Sequence, residues 1–206
     1  MRITYISSFV PRKCGIATYT RDLAVEVDKK HIPISIIAME NPLLPQVYPT
    51  PVNKIIRQEK LADYKKVAQQ LNSDSSDIVH LQHEFALFGG KDGEYILSLA
   101  SLLKKPLIVT FHTVLLTPTD HQKYIIQELT RLSRNIIIMD EVAKNRLEHV
   151  YGLNPNDSVF ILHGAPIVNM KKNDAKKAIN FPNSFVLLAN NLLSKVKGIE
   201  YAIEAV

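Results

Sequence analysis

The sequence predicts an α/β fold, a doubly wound parallel sheet with helices packed on both faces. Short β-branched segments recur along the chain, several of them apolar at almost every position, and segments with helical spacing separate them. Continuous apolarity is typical of strands that are covered on both faces, as in a parallel sheet. Strands that alternate with helices in this way favour an α/β sheet over an all-α or all-β fold.

Six strands and five helices are predicted in the first three quarters of the chain. The strand segments are ITYISS (3–8), ISIIAM (34–39), DIVHLQ (77–82), LIVTFHT (107–113), NIIIMD (135–140) and VFILHG (159–164). The helical segments, with apolar residues three and four apart, are 18–30, 59–71, 94–105, 119–133 and 140–152. Asp120 or Thr119, after Pro118, is predicted to begin a helix, and Gly152 to end one.

The rhythm of strands and helices stops after the sixth strand. Residues 166–184 are polar and lysine-rich, and we interpret them as a linker. Residues 185–206 then predict a further strand, a loop and a helix. One βα unit cannot bury both faces of its strand, so this segment either packs on the first domain or begins a second one. We favour the second alternative, with 1–165 as the first domain.

Composition limits the class of protein. Hydrophobic residues make up 46% and charged residues 22% of the 206 residues, which is ordinary for a folded globular protein. The single cysteine, Cys14, excludes an internal disulfide and favours a reducing, cytoplasmic location. No apolar segment approaches the ~18 residues of a membrane-spanning helix, and no signal-peptide pattern begins the chain.

The formal net charge of +5 leaves two alternatives open. The cations are either an ordinary solvated surface, or they attract phosphorylated ligands or an anionic membrane surface, which would make the protein a peripheral membrane protein. Nucleic acid is not an expected partner, because basic residues are not interleaved with aromatic residues and no recognition helix is evident.

Gly15 lies between the first strand and the first helix, in the segment PRKCGIATYT. A glycine there either forms a tight turn with positive φ or lets the main chain approach a ligand phosphate at the helix N-terminus. The segment matches neither the P-loop pattern G-x-x-x-x-G-K-[ST] nor the dinucleotide pattern G-x-G-x-x-G.

Histidines and glycines follow the strands, where parallel α/β sheets bind ligands. His80 and His83 are three residues apart on one strand and face opposite sides, so we do not expect a metal site. We expect His80 to pack within the sheet and His83 and Glu84 to reach the ligand crevice. His112 ends another strand, as either a structural or a site histidine. A hydrolase is disfavoured, because no G-x-S-x-G motif is present.

Five segments together resemble family 4 glycosyltransferases of the GT-B fold. They are PRKCGIATYTRDL, HLQHEFALFGGKDGEYI, KKPLIVTFHTVLLTP with HQ shortly after it, ILHGAP, and LLSKVKGIEYAIEA. The resemblance implies two Rossmann-like domains across a cleft, the N-terminal one mainly binding the acceptor and the C-terminal one the donor. Residues 1–165 then correspond to the N-terminal domain, and 185–206 to the start of a truncated C-terminal domain.

The resemblance also implies roles for residues on the donor side. Gly15 and Ile16 match the loop whose main chain approaches the donor phosphates. His112 matches the histidine that lies beside the transferred sugar. Lys197 matches the lysine that binds the donor phosphates, and Gly198 follows it in the same motif.

On the acceptor side, the resemblance implies that His83, Glu84, Gly89 and Gly90 line the cleft. The last two belong to FGGKDG, whose three glycines suit a loop that approaches a ligand closely or moves.

The function implied is retaining transfer of a sugar from a nucleotide-sugar donor to a hydroxyl of a glycan or another acceptor, in carbohydrate metabolism. No metal or other cofactor is expected, because a lysine and helix N-terminal amides can stabilise the departing diphosphate. The resemblance also implies an acidic E-x7-E motif, which we expect beyond Val206. We therefore expect the chain alone to be inactive, with a separate chain as one source of the remaining donor domain. The alternative is a non-catalytic module that binds a glycan or a partner protein.

Overall fold

The computed structural model describes residues 1–165, 167, 169–188 and 198–206. The described chain divides into two units, Met1–His163 and Gly164–Val206.

The first unit is built on one parallel sheet. Its described residues form seven strands: β1 Ile3–Ser7, β2 Ile34–Glu40, β3 Val52–Arg57, β4 Ile78–His83, β5 Leu107–Phe111, β6 Asn135–Ile138 and β7 Ser158–Phe160. Their order across the sheet is β3-β2-β1-β4-β5-β6-β7, and each neighbouring pair is parallel. This order confirms the predicted doubly wound α/β fold.

One strand, β3, was not predicted from the sequence. It lies at the edge of the sheet, and most of its side chains are at least partly exposed. Its sequence VNKIIR mixes polar and apolar residues and lacks the continuous apolarity by which the buried strands were recognised.

Five longer helices connect the strands: α1 Gly15–Asp28, α2 Leu61–Ser73, α3 Tyr95–Leu102, α4 Asp120–Leu132 and α5 Glu141–His149. Each overlaps a predicted helical segment, with ends that differ by up to three residues. Gly152 lies beyond the end of α5 with φ of 68°, and its N–H donates to the carbonyl of Glu148, so it helps to terminate this helix.

The helices cover both faces of the sheet. On β2, Ile37 and Met39 belong to a large apolar cluster that includes residues of α2, α3, α4 and α5. Ile36 and Ala38 belong to a smaller cluster that includes Ala24 of α1. Successive side chains of a strand point to opposite faces, so the two clusters are the cores of the two layers.

The sheet changes direction of winding between β1 and β4, because β2 and β3 extend it on one side and β5, β6 and β7 on the other. In doubly wound sheets, ligands bind beyond the carboxyl ends of the strands at such a switch point. A ligand site is therefore expected at the loops that follow β1, β4 and β5.

The second unit contains two short helices among its described residues, α6 Lys172–Ala178 and α7 Ile199–Glu204. Helix α6 lies within the predicted linker, and α7 lies in the predicted terminal helix. Residues 185–188, the described part of the predicted strand, have no regular secondary structure. A strand needs a neighbouring strand to pair its backbone groups, and no described segment pairs with this one.

The N-terminus of α4 is closed by a capping box. The Thr119 hydroxyl accepts from the Gln122 N–H at 3.1 Å, and the Gln122 side chain accepts from the Thr119 N–H at 3.0 Å. Of the two residues that the sequence offered as the start of this helix, Thr119 is the N-cap.

Replacing Thr119 by alanine is expected to lower the free energy of unfolding by about 1 kcal/mol, because one N–H of the first turn loses its partner. Urea unfolding followed by circular dichroism measures this change. Thr117→Ala is the matched control, since Thr117 is an exposed residue of the same loop. Equal stabilities of the two variants would contradict the capping role.

Candidate functional site

Helix α1 begins without a side-chain cap at the end of the loop after β1. Cys14 is the N-cap residue, its side chain makes no capping hydrogen bond, and the first turn holds no acidic residue. The first N–H groups of a helix carry a partial positive charge, and without a cap they can bind an anion.

Gly15, the first residue of α1, does not need to be glycine for the sake of the fold. It is not among the residues with positive φ, and a Cβ atom built there meets no described atom within 4 Å. The tight-turn alternative from the sequence is therefore not what the structure shows. The absence of a side chain instead leaves space at the uncapped start of the helix.

His112 directly follows β5 at the same edge of the sheet. Its N–H donates to the carbonyl of His83 at 3.0 Å, and its Nε2 lies 2.9 Å from Oε1 of Gln82. The ring of Tyr19, one turn along α1 from Gly15, meets the His112 ring edge-on with centroids 5.0 Å apart. Helix α1 and the predicted site histidine are thus in contact through Tyr19.

The imidazole of His112 is neutral at ordinary pH. Burial, together with the nearby His163, lowers its pKa to about 4. The ring of His163 also contacts Tyr19, with centroids 5.0 Å apart. A neutral imidazole can donate one hydrogen bond and accept one, which suits it to orient hydroxyl groups.

Behind His112, a chain of polar side chains runs along the face of the sheet. Gln82 of β4 lies between His112 and His80, with its Nε2 3.1 Å from the Nε2 of His80. The same nitrogen of His80 lies 2.8 Å from Oγ1 of Thr110 on β5. As expected, His80 packs within the sheet, and burial lowers its pKa to about 4.

His83 does not reach the crevice, contrary to the expectation from the sequence. It is the last residue of β4, and its ring lies fully buried on the opposite face of the sheet from Gln82. The ring contacts Phe85, Phe88 and Phe111. Neither ring nitrogen has a hydrogen-bond partner among the described residues, and burial lowers its pKa to about 3.

Glu84 joins the loops that follow β4 and β5. One carboxylate oxygen accepts from the hydroxyl of Thr113 at 2.5 Å, and the other accepts from the N–H of Phe85 at 3.1 Å. Glu84 is partly exposed, and its carboxylate holds the residue after His112 in place.

Gly89 and Gly90 are required by close packing. A Cβ atom on Gly89 would lie 2.0 Å from the carbonyl oxygen of Gln58, and one on Gly90 would lie 2.6 Å from the ring of Tyr95. Gly89 was expected to line the cleft, but it is buried and does not. Gly90 is partly exposed, with φ of 79°.

The glycine-rich loop is fastened to α4 by His121. Its Nδ1 lies 3.0 Å from a carboxylate oxygen of Asp92, and its Nε2 lies 3.0 Å from one of Glu94. Arg146 of α5 fastens the other loop, donating to the carbonyl of Val114 at 2.7 Å. Both loops at the crevice are therefore held by side chains from neighbouring helices.

The two remaining donor-side residues belong to the second unit. Lys197 lies outside the described residues. Gly198 has φ of 61° and precedes α7, a conformation that favours glycine.

Sequence reasoning missed Tyr19 and Gln82. The signal for Gln82 was present, because His80 and Gln82 on β4, and Thr110 and His112 at the end of β5, are polar residues spaced two apart in apolar segments. Such spacing places each pair on one face of its strand. Only the register, in which Gln82 is opposite Thr110, brings the two pairs together.

Among the described residues, no three His, Cys, Asp or Glu side chains form a group that could hold a metal ion. Within the same part of the chain, none of the helices combines the length and apolarity needed to cross a membrane.

The family model of Glycosyltransferase Family 4 matches residues 14–167. This range includes Gly15, the loops after β4 and β5, and His112. No curated protein sequence matches the chain significantly.

Solved structures share the fold of the chain. The lipopolysaccharide outer core galactosyltransferase WaaB, in its apo form, has a TM-score of 0.59 at 14% identity over 82% of this chain and 47% of its own. A glycosyltransferase from Rickettsia africae has a TM-score of 0.58 at 14% identity, over 86% and 48%. Anabaena HepE in complex with UDP has a TM-score of 0.52 at 13% identity, over 90% and 51%. The chain thus spans about half the length of each.

Stability is expected to fall as the pH drops below about 6.5, the pKa of an unfolded histidine. His80, His83 and His112 have pKa values of about 4, 3 and 4 in the folded chain, so the unfolded chain binds protons that the folded chain does not. The free energy of unfolding should then change by up to about 4 kcal/mol per pH unit near pH 5. Urea unfolding between pH 7 and about pH 5, above the range of unfolded carboxylates, measures this slope.

The matched variants for this experiment are His83→Phe and His149→Gln. The first should reduce the slope by about one third and raise stability at pH 7, because it removes a buried imidazole without hydrogen-bond partners. The second changes an exposed histidine and should leave the slope unaltered. A stability independent of pH across this range would show that the three rings are not buried as described.

Alanine at Gly15 and at Gly89 is expected to have opposite effects. Gly15→Ala should leave the free energy of unfolding unchanged or raise it by up to about 1 kcal/mol, because alanine favours the helix and meets no atom. Gly89→Ala should lower it by about 2 kcal/mol or more, because its Cβ overlaps the main chain at Gln58. Thermal unfolding compares the two, and a large loss of stability in Gly15→Ala would mean that Gly15 serves the fold.

Proposed function

The chain belongs to Glycosyltransferase Family 4, and we propose that it forms the acceptor-side part of an enzyme that transfers a sugar from a nucleotide-sugar donor to a hydroxyl group, with retention at the anomeric carbon. The single observation that carries this proposal is the uncapped start of α1 beside a neutral histidine. It provides one place for an anionic leaving group and another for a sugar hydroxyl.

The start of α1 suits the donor diphosphate. Gly15 leaves room for the phosphate oxygens to approach the main chain, and the N–H groups of Gly15 and Ile16 point along the helix axis toward the loop after β1. As the bond to the sugar breaks, negative charge develops on the diphosphate, and oriented amides stabilise it without reorganising. HepE, which shares the fold, has been solved with UDP, so UDP is the first nucleotide to test.

His112 is the proposed catalytic residue, and its role is to hold the transferred sugar. Since the imidazole is neutral, the ring nitrogen that does not contact Gln82 can form a hydrogen bond with a sugar hydroxyl, and the ring does not attract the phosphates. Lys197 and Gly198 are proposed as further contacts of the donor phosphates on the basis of the family resemblance. Helix amides and a lysine can each stabilise phosphate charge without a metal ion, so the proposed reaction uses no metal.

Glu84 and Gly90 are the proposed acceptor-side residues, since both retain some exposure at the loop after β4. The acceptor is a hydroxyl of a glycan or another molecule. We propose a cytoplasmic reaction, with an anionic membrane surface as a partner that the positive net charge would attract.

Titration of the ¹⁵N-labelled chain with UDP tests the donor site. We expect weak binding that shifts the amide signals of Gly15 and Ile16, because these N–H groups contact the phosphates. Uridine, which lacks the phosphates, is the matched control and should leave both signals in place. Equal shifts with UDP and uridine, or no shift with either, would contradict the site at α1.

His112→Ala provides the second arm of this experiment. It should weaken the binding of a UDP-sugar about tenfold, the equivalent of one good hydrogen bond, and leave the binding of UDP unchanged. The same samples, incubated with several nucleotide sugars and a hydroxyl acceptor, test the expectation that the 206 residues alone transfer no sugar. Shifts near Glu84 with free glycans, without any response to nucleotides, would favour the alternative of a non-catalytic binding module.

A further inference from the structure

Gln82 is a fully buried polar side chain held between two histidines. Its relative exposure is 0%, and it lies one residue before the end of β4. Its Oε1 lies 2.9 Å from Nε2 of His112, and its Nε2 lies 3.1 Å from Nε2 of His80. Because the amide of Gln82 has no access to water, its oxygen depends on His112 and its nitrogen on His80 for a hydrogen bond.

The amide determines the direction of each hydrogen bond. An amide nitrogen only donates and an amide oxygen only accepts, so Gln82 donates to His80 and accepts from His112. The hydroxyl of Thr110 reaches the same nitrogen of His80 at 2.8 Å and donates to it as well. His80 therefore carries its proton on Nδ1, and its Nε2 receives two donors.

We propose that Gln82 is a positioning residue that fixes the tautomer of His112, with the proton on Nε2 and the lone pair on Nδ1. The side chain of His112 then offers its remaining nitrogen as a hydrogen-bond acceptor. The catalytic role of this nitrogen rests on the proposed function. As a hydrogen-bond acceptor, it binds a sugar hydroxyl, which can donate, and disfavours a phosphate oxygen, which cannot.

Two further contacts keep the ring in this orientation. The main-chain N–H of His112 donates to the carbonyl of His83, which fixes the backbone from which the ring projects. The ring of Tyr19 packs edge-on against it at 5.0 Å, which leaves less room for a rotated imidazole. Burial keeps the pKa of His112 low, so the ring is neutral at neutral pH and its hydrogen bonds select the tautomer.

The experiment records the ring nitrogens of the histidines by ¹⁵N NMR in the ligand-free chain, where the two tautomers give distinct signals. We expect the wild-type His112 signals to be those of the Nε2–H tautomer. Gln82→Met, which keeps the shape of the side chain and removes the acceptor, should convert them to a mixture of tautomers. A wild-type His112 protonated on Nδ1 would overturn the proposal, and so would a folded Gln82→Met chain with unchanged His112 signals.

Two variants separate positioning from a general loss of structure. Thr110→Val removes a contact of His80 without touching His112, and it should leave the His112 tautomer unchanged. Gln69→Met makes the same substitution at an exposed position of α2 and should alter no histidine signal. If Gln82→Met does not fold, Gln82→Leu replaces it, and the wild-type spectrum still decides which nitrogen is protonated.

Because no nucleotide is present, the tautomer measurement is independent of the UDP titration. A Nε2–H tautomer that depends on Gln82, found in a chain that does not bind UDP, would refute the proposed function and support the positioning role. Binding of UDP at α1, combined with a His112 ring protonated on Nδ1, would support the proposed function and refute the positioning role of Gln82.

Discussion

Burial of β4 and β5 on both faces is the constraint on which the candidate site depends, because polar side chains inside the sheet must find partners away from water. Gln82 and Thr110 have no exposed surface, and they meet this requirement through His80. The resulting chain of hydrogen bonds ends at His112, the first residue after β5. The polar side chains buried in the sheet thus set the orientation of the His112 ring.

On the opposite face of β4, one buried polar side chain lacks such a partner. His83 is surrounded by three phenylalanines and lacks a hydrogen-bond partner among the described residues. A buried imidazole of this kind lowers stability. The main-chain carbonyl of His83 nevertheless accepts a hydrogen bond from the N–H of His112. The backbone of His83, and not its ring, is what connects it to the site.

The glycines divide into two groups that the sequence cannot tell apart. Gly89 and Gly90 lie where a Cβ atom would overlap neighbouring atoms, so the packing of the loop after β4 explains them. Gly15 has an ordinary φ and free space around it, so the fold does not explain it. A glycine that the fold does not require, at an uncapped helix start, is what a phosphate-binding loop needs.

The sequence by itself determined the α/β class, six of the strands, the five longer helices and the family, because continuous apolarity, helical spacing and ordered motifs are properties of local segments. Edge strand β3 was missed because its exposed side chains weaken that pattern. Only the tertiary structure decided that His83 turns away from the crevice and that Gln82 meets His112. These outcomes depend on strand register and on which face of the sheet each residue occupies, and both are fixed by packing between segments that are distant in sequence.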